Sequence, residues 1–128
     1  MYRVLLNDQL IGITHLEAAD PPMGVVSGGI VFHEAISPYE LFVCHCREHK
    51  IIVNSAEPGY EFIDTQVIPQ LRVLRADGVE ISGQGCCVTG FKEDGYAITI
   101  LGIPYPFYGE EFPHHCKAYD ERFRGIDP

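Results

Sequence analysis

"CVTGFKEDGYAITIL", residues 87–101, contains two strand-like runs joined by a short turn. The runs 87–91 and 96–101 are rich in β-branched and aromatic residues, which favour strands. Asp94-Gly95 lies between them and suits the positive φ angles of a tight hairpin turn. This stretch therefore predicts an antiparallel β-hairpin, and the same pattern recurs along the chain.

Two further hairpins and two more strands follow from the same reasoning. Residues 2–6 and 10–13 flank the turn residues Asn7-Asp8-Gln9, and residues 71–75 and 79–82 flank Asp77-Gly78. A β-rich run covers residues 25–32, and Glu57-Pro58-Gly59 predicts a turn that leads into residues 60–63. These elements predict a largely antiparallel sheet.

A first helix is predicted to begin at the capping box Ser37-Pro38-Tyr39-Glu40 and to run to about Lys50. Its shared face would carry Leu41, Phe42, His45 and His49. A strand is the competing interpretation, because residues 42–44 and 51–53 both favour β structure. We expect a helix followed by a strand.

A second helix is predicted from Pro113 to about Arg124, since Phe112, Cys116, Tyr119 and Phe123 recur at helical spacing. The expected fold class is α+β: a mostly antiparallel sheet built from hairpins, with one or two helices packed on it, at about 38–50 and 113–124. The length of 128 residues predicts a single globular domain over residues 1–128, with a short C-terminal tail from about 125.

Composition limits the compartment and the class of partner. The chain is 46% hydrophobic and 21% charged, and its 18 acidic against 9 basic residues give a net charge of −9. Such a charge disfavours direct contact with nucleic acid.

The apolar runs are too short for a membrane helix, and residues 1–8 lack the apolar segment of a secretory signal. An odd number of cysteines, five, with Cys86 and Cys87 adjacent, predicts reduced and mostly buried thiols. We therefore expect a cytoplasmic protein that contacts neither nucleic acid nor membrane.

The stretch "AADPPMGVVSGG", residues 18–29, matches the GxxxxG start of a phosphate-binding loop. The match fails because Ile30 and Val31 stand where such a loop needs lysine and a hydroxyl. A second capping-box pattern over 14–17 predicts instead one turn of helix, ended by Pro21-Pro22.

A strand would then follow, in which Gly28-Gly29 marks a bulge or a close backbone approach. The corner before that strand has Asp20 and Met23 at its tip and is a candidate contact surface.

Residues 102–113 combine three prolines and four aromatic side chains with two adjacent carboxylates. Aromatic anchors carry much of the energy of protein interfaces, and acidic groups steer basic partners. Tyr105, Tyr108, Glu110 and Glu111 are therefore the candidate interaction residues here. The alternative is that the aromatic rings cover the sheet edge and seat the last helix.

Histidine and cysteine recur in three places, which raises the question of a metal site. The candidate ligands are His45, His49, His114 and Cys116, and Cys116 is also considered as a thiol nucleophile near a helix N-terminus. The spacing matches neither a paired CxxC nor HExxH. No metal ligand and no cofactor is therefore assigned. Zinc is expected only if the chain is a metal-binding protein or a metal-dependent enzyme.

These features predict a small acidic cytoplasmic protein with no evident catalytic function. We expect a protein–protein interaction module, compatible with an inhibitor or immunity-type antagonist of a basic protein. The alternative is a metal-binding protein, or a thiol- or metal-dependent enzyme, that uses the histidine and cysteine groups. Edge strands of a small sheet also allow a homodimer.

Overall fold

The computed structural model describes residues 1–123, in which nine strands form one sheet with antiparallel pairing throughout. The strands are β1 (Tyr2–Leu6), β2 (Gln9–Thr14), β3 (Ala18–Asp20), β4 (Val25–Phe32), β5 (Val53–Glu57), β6 (Phe62–Thr65), β7 (Leu71–Leu74), β8 (Gly85–Phe91) and β9 (Gly95–Leu101). Their order is β5-β6-β8-β9-β4-β2-β1-β7, and β3 pairs with β4 outside that path. With three helices, α1 (Pro38–His49), α2 (Phe107–Glu111) and α3 (Pro113–Arg122), the predicted α+β class is confirmed.

Local turn chemistry explains the two hairpins that form as predicted. Asn7 and Asp8 both adopt positive φ, 51° and 63°, so that Leu6 pairs directly with Gln9. Gly95, at φ 92°, pairs with Phe91 and closes β8 onto β9.

The third hairpin forms only in part. Strand β7 ends at Leu74, and after the turn only an isolated bridge joins Leu74 to Glu80. The residues after the turn still bond to β7, since the N–H of Arg75 donates to the carbonyl of Val79 at 2.8 Å and the N–H of Ile81 donates to the carbonyl of Val73 at 2.9 Å. Residues 79–81 therefore lie along β7 as the hairpin predicts but do not form the regular strand expected over 79–82, and beyond them the N–H of Gln84 donates to the carbonyl of Leu101 at 2.7 Å.

Helix α1 has the predicted bounds and is followed by β5, as expected. It begins at Pro38 and ends where Lys50 adopts the left-handed conformation, φ 56°. The capping-box hydrogen bond does not form, since the exposed side chain of Ser37 bonds to no helix N–H. Phe42 packs edge-on against Phe32 and anchors the helix on the sheet.

The predicted helical turn over 14–17 is wrong. Thr14 ends β2, Leu16 has a positive φ of 49°, and β3 follows in antiparallel register with β4. β2 and β3 therefore lie along the same side of β4, and residues 15–17 loop out between them. Pairing with β4 outweighs the local helical signal.

Two helices follow the sheet. α2 was not predicted, whereas α3 begins at Pro113 as expected and ends at Arg122. Arg124 and the tail predicted from 125 lie outside the described residues. None of the helices in residues 1–123 combines the length and the apolar character needed to cross a bilayer.

Candidate protein-interaction site

The structure joins the two segments that the sequence marks as contact surfaces. The hydroxyl of Tyr105 donates to the carbonyl of Pro21 at 2.9 Å and lies 3.8 Å from Sγ of Cys116 on α3. Asp20 and Met23 flank Pro21 in the corner, and Asp120 lies one turn beyond Cys116. We call the four residues Asp20, Met23, Tyr105 and Asp120 the corner surface.

A rigid backbone frame supports this surface. Residues 21–23 form a single 3-10 turn that ends at Gly24 in the left-handed conformation, φ 67°. The carbonyl of Gly24 accepts a hydrogen bond from the N–H of Ile103 at 2.8 Å. A Cβ on Gly24 would lie 2.6 Å from the Ile103 carbonyl oxygen, so only glycine allows the two segments to approach this closely. The corner is thus tied to the segment that carries Tyr105.

The side chains of the corner surface are accessible. Met23 is 67% exposed and Tyr105 is 54% exposed, although the Tyr105 ring also packs on Tyr108 with a centroid distance of 5.2 Å. Partial burial raises the pKa of Tyr105 to about 12, with further contributions from Cys116 and Asp120. The Tyr105 hydroxyl therefore keeps its proton, and with it the hydrogen bond to Pro21, to a higher pH than an ordinary tyrosine would.

Two of the predicted interaction residues have structural roles instead. Tyr108 is fully buried, and its hydroxyl donates to the carbonyl of Val25 at 2.9 Å. The side chain of Glu111 is only 10% exposed, and it accepts hydrogen bonds from Tyr2 and Arg75, both at 2.7 Å. For these two residues the alternative interpretation, that this segment covers the sheet and seats the helices, is the correct one. Glu110 is exposed on α2, as expected.

Asp120 belongs to the surface but was not found from the sequence. Helical spacing from Cys116 places it on the same side of α3, and its negative charge acts on the Tyr105 hydroxyl. Within residues 1–123, neither Asp20 nor Asp120 forms a salt bridge. Both carboxylates are exposed.

The candidate metal ligands remain in separate pairs. His45 is buried on α1, where Nε2 lies 2.9 Å from Oε1 of Gln70 and the ring stacks on exposed His49 at 4.2 Å. On α3, the rings of His114 and its neighbour His115 are tilted by 42° with their centroids 4.1 Å apart. Across residues 1–123, no three histidine, cysteine or acidic side chains are placed to hold a metal ion together.

The cysteines are all free thiols with different environments. Burial raises the pKa of Cys46 and raises that of Cys86 to about 12, which disfavours the nucleophilic thiolate at both. Cys86 is buried and Cys87 only half-buried, as expected for neighbours on a strand. Cys116 is half-buried beside Tyr105, and Cys44 is exposed.

A second candidate surface is a cleft between α1 and the β1–β2 hairpin, with a volume of about 560 Å³. We call it the α1 cleft. It is lined by Leu6, Asn7, Gln9, Leu10, Ile11, Ala35, Ile36, Ser37, Glu40, Leu41, Cys44, His45 and Glu48. The sequence did not reveal it, because it depends on how the tip of one hairpin lies against a helix 30 residues further on.

Comparison with protein-family models, with curated proteins and with solved structures finds no match for this chain.

Proposed function

We propose that this chain is a cytoplasmic protein–protein interaction module whose corner surface binds a basic protein. The observation that carries the proposal is the hydrogen bond from Tyr105 to Pro21, which joins two exposed segments 84 residues apart into one surface. A role as an inhibitor or immunity-type antagonist of a basic protein fits the same features.

Preorganisation favours binding at this place. Binding costs free energy when loops and side chains lose freedom, so an anchor already held in position keeps more of its contact energy. The two prolines, the 3-10 turn and the Gly24–Ile103 hydrogen bond restrict the corner. Met23 and Tyr105 then present apolar area on that frame, with the tyrosine hydroxyl already paired.

Charge supports a basic partner. The net charge of the chain is −9, and Asp20 and Asp120 add local carboxylates at the rim of the apolar contact. Complementary charge raises the association rate and discriminates against acidic partners. The five free thiols support a reducing compartment such as the cytoplasm.

A second copy of the chain is a weaker candidate for the partner. The strand path ends at β5 and at β7. A bulge between Val53 and Ser55 and the charged Glu57 oppose extended pairing along β5, and hydrogen bonds to residues 79–81 occupy the edge of β7. A second copy would also bring another nine net negative charges. We therefore propose a different, basic protein rather than a homodimer.

The test is a pull-down from an extract of the natural source with immobilised protein and matched variants. At about 0.01 M salt we expect one basic protein to be retained, and at about 1 M salt we expect its release, because the Debye length falls from about 30 Å to about 3 Å. Met23→Ser should reduce its retention severalfold, whereas Tyr60→Ser should leave it unchanged. Tyr60 is the matched control because it is 70% exposed but lies far along the chain, beside β6.

The retained protein is then purified and titrated by calorimetry against Asp20→Asn and Asp120→Asn. We expect each substitution to weaken binding and to reduce its salt dependence. The proposal fails if no protein is retained at low salt, or if the Tyr60 variant loses the partner as completely as the Met23 variant.

A further inference from the structure

The α1 cleft differs in shape and charge from the corner surface and shares no residue with it. Its 560 Å³ volume lies between the tip of the β1–β2 hairpin and the outer face of α1. The lining contains neither lysine nor arginine, and its charged side chains are the carboxylates of Glu40 and Glu48. Both glutamates are exposed, and neither forms a salt bridge within residues 1–123.

Part of the cleft surface is apolar; we call this part, formed by Leu10, Ile36 and Leu41, the floor. Leu10 projects from the hairpin with 43% of its surface exposed, and Leu41 and Ile36 are half-buried on the opposite side. An apolar side chain seated between Leu10 and Leu41 would remove all three from water, which favours binding in proportion to the area buried. The floor therefore suits one aliphatic side chain, and the rim suits cations.

Helix geometry fixes the distance between the two rim carboxylates. Glu40, Cys44 and Glu48 follow one another at intervals of four residues, so they share a face of α1. At 1.5 Å per residue the two glutamates stand about 12 Å apart along the axis. An extended chain rises about 3.3 Å per residue, so residues i and i+4 are about 13 Å apart and point to the same side as residue i+2.

We propose that the α1 cleft binds an extended basic segment of a partner protein. Two arginine or lysine side chains, four residues apart, pair with Glu40 and Glu48, and the apolar side chain midway between them packs on Leu10 and Leu41. Charge complementarity selects this occupant, since a cleft with carboxylates and no cation repels an acidic segment. The proposal is independent of the corner surface, because it concerns other residues.

The probe is a capped seven-residue peptide with arginine at its second and sixth positions, leucine at its fourth and alanine elsewhere. It is titrated into the ¹⁵N-labelled full chain, and amide shifts are followed by NMR, which detects weak binding. We expect shifts concentrated at Leu10, Leu41, Cys44 and Glu48. The double substitution Glu40→Gln/Glu48→Gln should weaken binding about 2- to 30-fold, as for the loss of two exposed ion pairs.

The matched control is Glu93→Gln/Asp94→Asn, which removes the same charge at the exposed tip of the β8–β9 hairpin. It should bind the peptide as the parent chain does. Leu10→Ser, which leaves the charges unchanged, should also weaken binding, and a peptide with serine in place of leucine should bind more weakly. Together these results would show that peptide binding depends both on the carboxylates at the rim and on the apolar contact at the floor.

Three outcomes would overturn the proposal. The first is a set of shifts spread over the acidic surface, with equal weakening by the cleft and control double variants. The second is equal binding of spermine, which carries the charges but no apolar side chain. The third is the absence of any shift at peptide concentrations in the millimolar range. None of these depends on whether the corner surface has a partner.

Discussion

At the scale of single residues, Glu17 takes the place of a missing strand neighbour. The loop over residues 15–17 interrupts the pairing along β4, which would leave the N–H of Gly29 without a partner. Oε1 of Glu17 accepts that N–H at 3.0 Å, while Oγ1 of Thr14 accepts the N–H of Leu16 at 3.3 Å. Side chains thus supply hydrogen bonds where the strand ladder is broken.

The same loop makes Gly28 sensitive to substitution and Gly29 tolerant. A Cβ on Gly28 would lie 2.5 Å from Oγ1 of Thr14 and 2.7 Å from the backbone N of Leu16, whereas one on Gly29 would meet only Glu17, at 3.7 Å. We expect Gly28→Ala to lower the free energy of unfolding by about 1–3 kcal/mol, as overpacking does. Gly29→Ala should leave it unchanged or raise it by up to about 1 kcal/mol. Urea denaturation of both variants checks this, and equal effects would contradict the close approach.

Tyr2 is the second residue with a defined energetic role. Its hydroxyl donates to the nearly buried carboxylate of Glu111, which also pairs with Arg75, and burial and this hydrogen bond raise the pKa of Tyr2. We expect Tyr2→Phe to cost about 1–2 kcal/mol, because a hydrogen bond to a charged group is lost while Glu111 keeps its arginine. Tyr60→Phe is the control, since that exposed hydroxyl bonds to no group within residues 1–123. A loss of stability in both variants alike, measured by thermal unfolding, would contradict the assignment.

At the scale of elements, α1 ends at a residue poorly suited to its conformation. Lys50 is exposed and adopts the left-handed region, φ 56°, which costs a residue with a Cβ roughly 1 kcal/mol. We expect Lys50→Gly to stabilise the protein by about 0.5–1 kcal/mol, because glycine is the preferred residue at this position. Lys50→Ala should give no such gain, since alanine meets the same steric penalty. Chemical denaturation of the two variants distinguishes a conformational effect from the loss of charge.

The elements that could be predicted are those whose sequence signal lies within a few adjacent residues. The Asn7-Asp8 turn, the Gly95 turn and the proline start of α1 each depend on a few adjacent residues, and all three appear as expected. The turn of helix over 14–17 failed because its signal is also local, whereas β3 forms through pairing with β4. α2 was not predicted, because the three prolines of residues 102–113 disfavour a strand but do not indicate where a helix would form.

At the scale of the whole molecule, the candidate sites depend on contacts that no local pattern encodes. The sequence identified Asp20, Met23 and Tyr105 separately, as an exposed corner and an aromatic segment. Their union depends on the Gly24–Ile103 hydrogen bond across the fold. The composition of residues 102–113 does not distinguish buried Tyr108 from exposed Tyr105, because both tyrosines lie in the same short aromatic segment. The α1 cleft required the tertiary placement of a hairpin against a helix.

Because of its buried thiols and phenols, the folded protein should lose stability at alkaline pH. Burial raises the pKa of Cys86 to about 12 and also raises those of Cys46, Tyr96 and Tyr108. In the unfolded chain the thiols lose protons near pH 8.5 and the phenols near pH 10. Above these values the unfolded state binds fewer protons than the native state, so stability must fall as the pH rises.

The expected curve separates thiols from phenols. The free energy of unfolding should stay level between about pH 7 and 8 and then decline by up to about 1.4 kcal/mol per pH unit for each thiol that the native state keeps protonated. The slope should steepen above about pH 10, where the tyrosines of the unfolded chain ionise.

Urea denaturation at fixed pH steps from about 7 to 11 measures both the decline caused by the thiols and the steeper decline caused by the tyrosines. Cys86→Ala should reduce the decline between about pH 8.5 and 10 and leave the steeper decline above about pH 10 in place, because it removes one buried thiol with a raised pKa and no tyrosine. A stability that rises over pH 8.5–10, or a decline that the variant does not reduce, would contradict the burial of this thiol in the native state.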